Sequence, residues 1–353
     1  MAKKEFMSGN DSIAEAAIQA GCRFYSGYPI TPQNEIGERM SWRLPQVGGG
    51  FIQAESEVSA IYMVFGAAGA GARAMTSSSS PGISLMQEGI SYIAAAELPC
   101  VIVNMMRGGP GLGGIQPSQS DYFQATKGGG HGDYHLLVLA PSTAQEAVNL
   151  TMLAFDLADK YRNPVMILGD GNIGQMMEPV EFKPPEKPFV TKKDWIIGGA
   201  KNRPNNIIKT LYLDPVVLER RNLGIAHKLS EAVRNEVRFE SYMAEDAEII
   251  IAAYGTVARI VKTAIKILRD EGIKVGLLRP ISLYPFPSQA FAQAAEKVKN
   301  MLVVEMSLGQ MLEDINLAVC NKTKVHFYGR VGGIVPSYDE IVAQVERIVK
   351  EAK

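Results

Sequence analysis

Short, uniformly apolar runs alternate with helical patterns through the first half of the chain. Apolar runs without polar alternation predict strands buried on both faces of a parallel sheet. The predicted strands are 23–28, 50–53, 72–77, 100–106, 136–139 and 165–168, and the predicted helices are 11–20, 33–42, 57–70, 83–96 and 143–160. This order predicts an α/β domain, a doubly wound parallel sheet with helices on both faces.

The pattern changes after residue 177. Segment 178–189, EPVEFKPPEKPF, contains four prolines, and a charged helical run at 218–244 follows a polar stretch. A second α/β unit follows, with predicted strands at 247–256, 274–281, 300–307 and 324–330 and predicted helices at 257–269 and 337–350. We therefore predict a first domain at 1–177, an ordered connector at 178–245 and a second domain at 246–353.

Composition removes several classes of function. The 353 residues are 46% hydrophobic and 21% charged, with a net charge of −1, so we expect a soluble protein without a nucleic-acid footprint. The apolar run 58–72 is too short to span a membrane. Three scattered cysteines without a CxxC cannot build a zinc site or an iron–sulfur cluster. They indicate a reducing compartment, and with no apolar leader we expect a cytoplasmic protein.

Two acids stand at the head of the apolar run, in FIQAESEVSAIYMVFGAAGAGARAMT at 51–76. Glu55 is typical of a helix start, with Ser56 as the N-cap. Glu57 lies on the helix itself, in surroundings that we expect to be dry. A carboxylate there costs several kcal/mol unless a group donates a hydrogen bond to it. Glu57 therefore indicates a bound ligand, although a second helix-start acid is the simpler alternative.

Two further features are candidates for a site. The segment YPITP at 28–32 places Thr31 between two prolines at the carboxyl end of a strand, where open α/β sheets bind ligands; the alternative is a rigid turn in which Thr31 caps the next helix. Arg107 ends a buried strand and precedes five glycines and one proline. A guanidinium there suits a carboxylate anchor, and the alternative is an arginine that binds loop carbonyls.

Other motifs have simpler interpretations. Gly109, Gly111 and Gly114 match GxGxxG, but IQPSQSD follows them instead of a helix, which argues against a dinucleotide site. HGDYH at 131–135 follows three glycines and lacks a third ligand for zinc. TSSSSPG at 76–82 is a strand-to-helix turn that could meet a phosphate or a partner chain, although helix capping is the simpler interpretation.

Glu57, with Ala60 and Gly66 after it, resembles the pyrimidine-domain helix of thiamine-diphosphate enzymes. The resemblance extends through YPITP (28–32), TSSSSPG (76–82), AAAELPCVIVNMMRGGPG (94–111) and PSQSDYFQATKGGGHGD (117–133). Together these motifs resemble the alpha subunit of a 2-oxoacid:ferredoxin oxidoreductase, most closely the branched-chain (2-oxoisovalerate) type. Residues 247–353 are similar to the transketolase C-terminal-type domain of that family.

The resemblance implies roles for particular residues. Glu57 matches the glutamate that hydrogen-bonds N1′ of the aminopyrimidine and favours the imino tautomer, which takes the proton from thiazolium C2. Thr31 and Arg107 match residues that hold the 2-oxo acid. Tyr28, Pro29 and Ile30 would line the cofactor side of the same mouth.

The family reaction converts a 2-oxo acid and coenzyme A to acyl-CoA and CO₂, and electrons pass through iron–sulfur clusters to ferredoxin. The chain departs from the full family pattern because it has no CxxCxxC, no fused gamma domain and no usable diphosphate motif. GDGN at 169–172 resembles that motif, but the next Asn-Asn is 205–206, too far along. The resemblance therefore implies that Mg²⁺ and the clusters lie on partners, namely a diphosphate-binding beta subunit, a gamma subunit and a ferredoxin-like delta subunit.

Alternatives remain at this point. GLGGIQPSQSD after the Arg107 motif favours an apolar substrate side chain, but a 2-oxoglutarate or pyruvate type stays open, as do the subunit stoichiometry, the electron acceptor and the reaction direction. A second enzyme class is the beta subunit of an NAD-linked 2-oxoacid dehydrogenase or a transketolase-like protein. A non-enzymatic nucleotide-binding module would leave Glu57 unexplained.

Overall fold

The computed structural model describes residues 4–183 and 193–351. The first unit has seven helices and eight strands in this part of the chain. The strands are β1 (Glu5–Ser8), β2 (Phe24–Gly27), β3 (Gly50–Gln53), β4 (Ala74–Ser78), β5 (Cys100–Met106), β6 (Leu137–Leu139), β7 (Pro164–Asp170) and β8 (Met177–Val180). The helices are α1 (Gly9–Gln19), α2 (Asn34–Gln46), α3 (Glu57–Gly69), α4 (Ser80–Ala95), α5 (Tyr122–Thr126), α6 (Ala144–Tyr161) and α7 (Gly171–Gln175).

The rest of the chain begins with a long helix and continues with the second unit. Its strands are β9 (Phe239–Tyr242), β10 (Ile249–Ala252), β11 (Val275–Pro280), β12 (Ser282–Tyr284), β13 (Asn300–Glu305) and β14 (Lys324–Gly329). The helices are α8 (Pro215–Asn235), α9 (Gly255–Asp270), α10 (Ser288–Ala295), α11 (Gln310–Val319) and α12 (Tyr338–Glu351).

The first sheet has seven strands in the order β12-β6-β7-β5-β4-β2-β3. Its strands are parallel except for β12, which pairs antiparallel with β6. Every residue of β4, β5 and β7 is buried, because helices cover both faces of the sheet. The predicted α/β class and all six predicted strands of this unit are confirmed.

Helix α3 covers one face of this sheet, and it is less buried than its composition indicates. Ile61 and Val64 are fully buried against the sheet, whereas Val58 is 38% exposed and Gly66 is also exposed. The segment has no polar face, which predicts a helix buried on every side, and the structure contradicts that prediction. Its composition is apolar on a side that the described residues leave partly open to solvent.

The second sheet has the order β14-β13-β10-β11-β9. Strands β10, β11, β13 and β14 are parallel, and β9 pairs antiparallel with β11. The four strands predicted after residue 246 are confirmed. The predicted helix at 218–244 is wrong at its carboxyl end, because α8 ends at Asn235 and β9 forms at Phe239–Tyr242. The strand owes its form to pairing with the distant β11, which the charged local sequence does not reveal.

The two ends of the predicted connector, 178–245, belong to different sheets. Its first residues belong to β8, which pairs with β1, and its last residues include β9 of the second sheet. Residues 184–192, including much of the proline-rich segment, lie outside the described residues. The domain boundaries at 177 and 245 stay a prediction.

The two units share a buried interface. Strand β12 follows the second unit's β11 along the chain but joins the edge of the first sheet. The Gln119 side chain bonds both the Tyr254 carbonyl and the Met306 amide, each at 2.9 Å. The Tyr122 hydroxyl donates to Asp314 at 2.6 Å. These buried contacts fix the second unit against the loops that follow β5.

Within residues 4–183 and 193–351, no helix has the length and apolarity to cross a bilayer.

Candidate functional site

The predicted site residues follow neighbouring strands at one edge of the first sheet. We call this edge, where the parallel strands end, the carboxyl edge. Strands β3, β2, β4 and β5 are consecutive in the sheet, and Glu57, Thr31, Ser80 and Arg107 each follow one of them. Parallel strands place their carboxyl ends together, so the topology brings these four residues to one region.

Arg107 is the most constrained of these residues. It is 7% exposed, and its Nη1 and Nη2 donate to the carbonyls of Thr31 and Leu112, each at 3.0 Å. Its backbone amide donates to Ser80 Oγ at 3.0 Å. Its Nε is buried, and no described residue accepts a hydrogen bond from it. The structure thus shows the carbonyl contacts of the simpler interpretation and also leaves one guanidinium donor unused.

Thr31 is tied to Arg107 through its backbone. Its side chain is exposed, and none of the described residues hydrogen-bonds its hydroxyl. The interpretation that Thr31 caps the next helix is wrong, because α2 begins after Gln33, two residues later. Its carbonyl is engaged by Arg107 while its hydroxyl remains available.

The structure separates the two acids at the start of α3. Ser56 is the N-cap, and its Oγ accepts from the Ser59 amide at 3.3 Å, as predicted. Glu55 is exposed, and a hydrogen bond from the Ser59 hydroxyl lowers the pKa of its carboxyl. Glu57 is only 5% exposed, and no residue of the described ranges donates a hydrogen bond to it. Glu57 is therefore a buried acid without a partner in the part of the chain that the structure describes.

Gly82, in the first turn of α4, lies directly against Glu57. A Cβ at Gly82 would be 2.6 Å from Glu57 Oε1 and 2.0 Å from Ser78 Oγ, so only glycine fits there. Ser80, two residues earlier, donates to Asp121 at 2.6 Å and contacts both backbone groups of Arg107. The turn between β4 and α4 therefore connects the neighbourhood of Glu57 to that of Arg107.

The serines of this turn are the functional signal that sequence reasoning underrated. Ser79 holds the N-cap position of α4, but its side chain makes no capping hydrogen bond, so the capping interpretation is wrong. The hydroxyls of Ser78 and Ser79 are buried and have no partner among the described residues. The excess of serines in TSSSSPG was the available signal, because one capping residue does not require four.

Unpaired polar groups thus concentrate at the carboxyl edge. Each buried polar group without a hydrogen bond costs about 1–3 kcal/mol. Between the start of β4 and Arg107, five buried side-chain atoms have no partner among the described residues, namely Oγ1 of Thr76, the hydroxyls of Ser78 and Ser79, Oδ1 of Asn104 and Nε of Arg107, and the buried Glu57 lies close to Ser78. Acceptors near Glu57 and a cationic donor at Arg107 fit a ligand that combines an N–H-bearing heterocycle with a carboxylate. These residues fit the pyrimidine of thiamine diphosphate and a 2-oxo acid.

Tyr28 and Pro29 line a neighbouring cavity of about 310 Å³, together with Gln33 and Phe51. Ile30 is half-buried outside this cavity, and the cavity lining does not include Glu57, Thr31 or Arg107. On the wall of the cavity, burial raises the pKa of Tyr25 to about 12, so its hydroxyl is neutral and bonds Ser77 at 2.6 Å. The predicted contacts of Tyr28, Pro29 and Ile30 with a cofactor stay predictions.

The GDGN motif has a structural role. Asp170 ends β7 and is 1% exposed. Its Oδ1 accepts from the amides of Asn172 and Ile173 and from the Thr256 hydroxyl, the last at 2.7 Å. Burial raises the pKa of Asp170. Its carboxylate caps α7 and ties the start of α9 to the first sheet, so it is already engaged.

The two histidines of HGDYH have different surroundings. His131 is exposed, whereas His135 stacks on Tyr284 at 4.1 Å and its Nδ1 lies 3.0 Å from the Thr126 carbonyl. Among the described residues, no group of three or more His, Cys, Asp or Glu is arranged to hold a metal ion.

Comparison with known proteins identifies the family of the chain. The thiamine-diphosphate-binding model of pyruvate flavodoxin/ferredoxin oxidoreductase matches residues 15–254, and core domain II of pyruvate:ferredoxin oxidoreductase matches residues 247–341. The ketoisovalerate oxidoreductase subunit VorB of Methanothermobacter marburgensis is 49% identical over 350 residues, with 99% of each chain covered. The 2-oxoglutarate synthase subunit KorA of Methanothermobacter thermautotrophicus is 37% identical over 374 residues, covering 98% of this chain and 99% of the relative.

Solved structures show the same relationship. A 2-oxoglutarate:ferredoxin oxidoreductase from Magnetococcus marinus, with 2-oxoglutarate, coenzyme A and succinyl-CoA bound, matches with a TM-score of 0.84 at 28% identity. The match covers 98% of this chain but 65% of the longer solved chain. A split-gene transketolase, at 14% identity and a TM-score of 0.60, shares the fold over 97% of this chain and 98% of its own.

The two family models together span almost the whole chain, and the relatives align with it nearly end to end. The chain therefore belongs to the pyruvate flavodoxin/ferredoxin oxidoreductase family, the 2-oxoacid:ferredoxin oxidoreductases that bind thiamine diphosphate.

Proposed function

We propose that the chain is the alpha subunit of an enzyme that oxidatively decarboxylates a branched-chain 2-oxo acid with coenzyme A and passes the electrons to ferredoxin. The observation that carries the proposal is Glu57, a buried carboxylate to which no described residue donates a hydrogen bond. Two relatives named ketoisovalerate oxidoreductase subunit VorB are 49% and 47% identical to the chain, compared with 37–38% for full-length 2-oxoglutarate synthase subunits. This difference supports the branched-chain substrate.

When bound, thiamine diphosphate supplies a thiazolium carbon that becomes the nucleophile for the 2-oxo group. Glu57 lies at the amino end of α3, beside Gly82 and Ser78. Its carboxylate would accept a hydrogen bond from N1′ of the aminopyrimidine and hold a proton at that atom. A ligand that covers Glu57 would shield this hydrogen bond from water, which strengthens it.

Arg107 and Thr31 would hold the substrate. The unused Nε of Arg107 and the free hydrogens on its terminal nitrogens can donate to a carboxylate. The Thr31 hydroxyl is available beside it and can donate to a second substrate oxygen. Because the Thr31 and Leu112 carbonyls already fix the guanidinium plane, the substrate would meet a preorganised donor.

The remaining parts of the active enzyme would come from partner subunits. Asp170 of the GDGN motif is engaged by four donors of the chain, which supports a separate beta subunit for the diphosphate and Mg²⁺. The three cysteines lie far apart in the sequence and are unpaired, which supports clusters on the gamma and ferredoxin-like delta subunits and a cytoplasmic location. The partly open apolar side of α3 is a surface that such a partner would cover.

The test is to purify the chain alone and with its partner subunits. The chain alone should be colourless and inactive, and the assembled complex brown and dependent on thiamine diphosphate. With coenzyme A and ferredoxin, the complex should have a higher kcat/KM for ketoisovalerate than for pyruvate or 2-oxoglutarate. Preference for 2-oxoglutarate would contradict the substrate assignment, and reduction of NAD in place of ferredoxin would favour an NAD-linked dehydrogenase.

A further inference from the structure

The glycine-rich loop after Arg107 presents two large apolar side chains to solvent. Leu112 is 81% exposed and Ile115 is 58% exposed, within a segment (108–116) otherwise built mostly from glycine. Isolated exposed apolar residues are ordinary on protein surfaces. These two differ because the loop that carries them is fixed beside the substrate anchor of the proposed function, on which this inference rests.

The loop is held by its own backbone. The Gly108 amide donates to the Gln116 carbonyl at 2.9 Å, and the Gly114 amide donates to the Gly108 carbonyl at 2.8 Å. Gly113 has a φ of +60°, and a Cβ there would be 1.8 Å from the Gly108 carbonyl oxygen, so the loop closes on itself only with glycine. Leu112 therefore has a defined place.

The second unit supports the loop from outside. A Cβ at Gly333 would be 2.3 Å from the Cβ of Gln116, so the two backbones lie in close contact. Val331 and Ile334 flank this contact and are 47% and 51% exposed. Leu112, Ile115, Val331 and Ile334 are thus exposed apolar residues on two loops that contact each other.

Leu112 is joined to Arg107 directly. Its carbonyl accepts a hydrogen bond at 3.0 Å from Nη2 of the guanidinium whose Nε remains unused. In a 2-oxo acid the carboxylate, the oxo carbon and the first carbon of the side chain are consecutive. A substrate whose carboxylate is held by Arg107 therefore carries its alkyl chain only two bonds beyond the anchored group.

We propose that Leu112 is a specificity-determining residue whose side chain forms the apolar wall against the substrate's alkyl chain. The leucine carbonyl orients Arg107, and the leucine side chain contacts the branched carbons. The same wall discriminates against 2-oxoglutarate, because its second carboxylate would lose water against a leucine without gaining a hydrogen bond.

The test uses the assembled complex and compares kcat/KM for ketoisovalerate and pyruvate. Leu112→Ala should lower the ketoisovalerate to pyruvate ratio about tenfold or more, since one methylene in a hydrophobic pocket changes kcat/KM by about 10–200-fold. Leu112→Met should retain most of the ratio. Leu112→Arg should raise the ratio of 2-oxoglutarate to ketoisovalerate. Leu317→Ala is the matched control, because Leu317 is 76% exposed in the last turns of α11 and should leave all ratios unchanged.

Two results would overturn the proposal. The first is a Leu112→Ala complex whose substrate ratios equal those of the wild type. The second is an equal loss for every substrate together with weaker subunit assembly, which would make Leu112 a subunit contact. Failure of the proposed function is a separate result, because a wild-type complex that does not turn over ketoisovalerate would show it before any variant is made.

Discussion

The carboxyl edge of the first sheet carries two buried acids in opposite situations. Asp170, at the end of β7, receives hydrogen bonds from two amides that follow it and from both the amide and the hydroxyl of Thr256. Glu57, after β3, receives none from any described residue, and the nearby hydroxyls of Ser78 and Ser79 are equally unpaired. Both acids lie at the carboxyl edge of one sheet, yet only one has its hydrogen bonds satisfied by the chain.

This difference in hydrogen bonding distinguishes an acid with a structural role from an acid that a ligand would complete. A buried acid that the fold satisfies stabilises the fold, whereas an unsatisfied one costs stability and persists where a ligand completes it. By this criterion we assign a structural role to GDGN, which resembles a cofactor motif, and we propose that the plainer sequences around Glu57 and the serines form the site. The following predictions test this separation, from the largest expected effect to the smallest.

Glu57→Gln should have the largest effect. The amide keeps the shape of the side chain but cannot hold the proton at N1′, so turnover should fall by about 10²–10⁴-fold, the range for a positioned proton-transfer group. Turnover of the assembled complex and C2 hydrogen exchange of the bound cofactor measure this. Glu55→Gln, two residues away and exposed, is the control and should leave turnover near that of the wild type. Equal and mild effects at both positions would show that the pair is ordinary helix capping.

Arg107→Ala should have the second-largest effect. It removes a charge-assisted clamp on the substrate carboxylate, a change of about 2–5 kcal/mol, so KM for the 2-oxo acid should rise by about 30-fold or more. Affinity for thiamine diphosphate should hardly change. Arg107→Lys should recover only part of the loss, because an ammonium cannot donate bidentately. If KM is unchanged in Arg107→Ala, Arg107 does not bind the substrate and serves only to hold the loop through the Thr31 and Leu112 carbonyls.

Asp170→Asn should affect stability instead of chemistry. It weakens the caps of α7 and α9, which should cost about 1–3 kcal/mol in urea denaturation of the chain, while kcat of the folded complex stays near wild type. Burial raises the pKa of Asp170, so the folded chain binds this proton more tightly than the unfolded chain. The contribution of Asp170 is therefore largest below about pH 4 and declines as the pH rises through the folded-state pKa. The cost of Asp170→Asn should decrease in the same direction, and a cost that grows with pH would contradict this assignment.

The sequence predicts what depends on local pattern. Strands β4, β5 and β7 are found where uniformly apolar runs predict them, and Glu57 is recognisable because a charged residue leads an apolar helix. Strands β1, β8 and β12 were not predicted, because each is short and forms through pairing with a distant strand. The end of α8 was misplaced for the same reason.

The site shows the same division. Three anchors, Glu57, Thr31 and Arg107, stand out in their own segments, but their relation to each other depends on strand order. The partner of Asp170 is Thr256, 86 residues away, so only the tertiary structure explains the engaged carboxylate. The unpaired state of Ser78 and Ser79 is also a tertiary property, because a hydroxyl's partners cannot be read from its neighbours in sequence.

The smallest effect, and the finest test of the comparison, concerns two adjacent serines. Ser80 Oγ donates to Asp121 and accepts from the Arg107 amide, so Ser80→Ala should destabilise the chain by about 1–3 kcal/mol. Ser79 Oγ is buried without a partner among the described residues, so Ser79→Ala should leave the unfolding free energy within about 0.5 kcal/mol of wild type or slightly raise it. In the assembled complex the order should reverse for cofactor binding, because Ser79 gains its hydrogen bond only from what occupies the edge. Thermal denaturation of the chain and thiamine diphosphate titration of the complex measure the two quantities. If Ser79→Ala destabilises the chain as much as Ser80→Ala and leaves cofactor affinity unchanged, the unpaired hydroxyls are not a sign of a ligand at this edge.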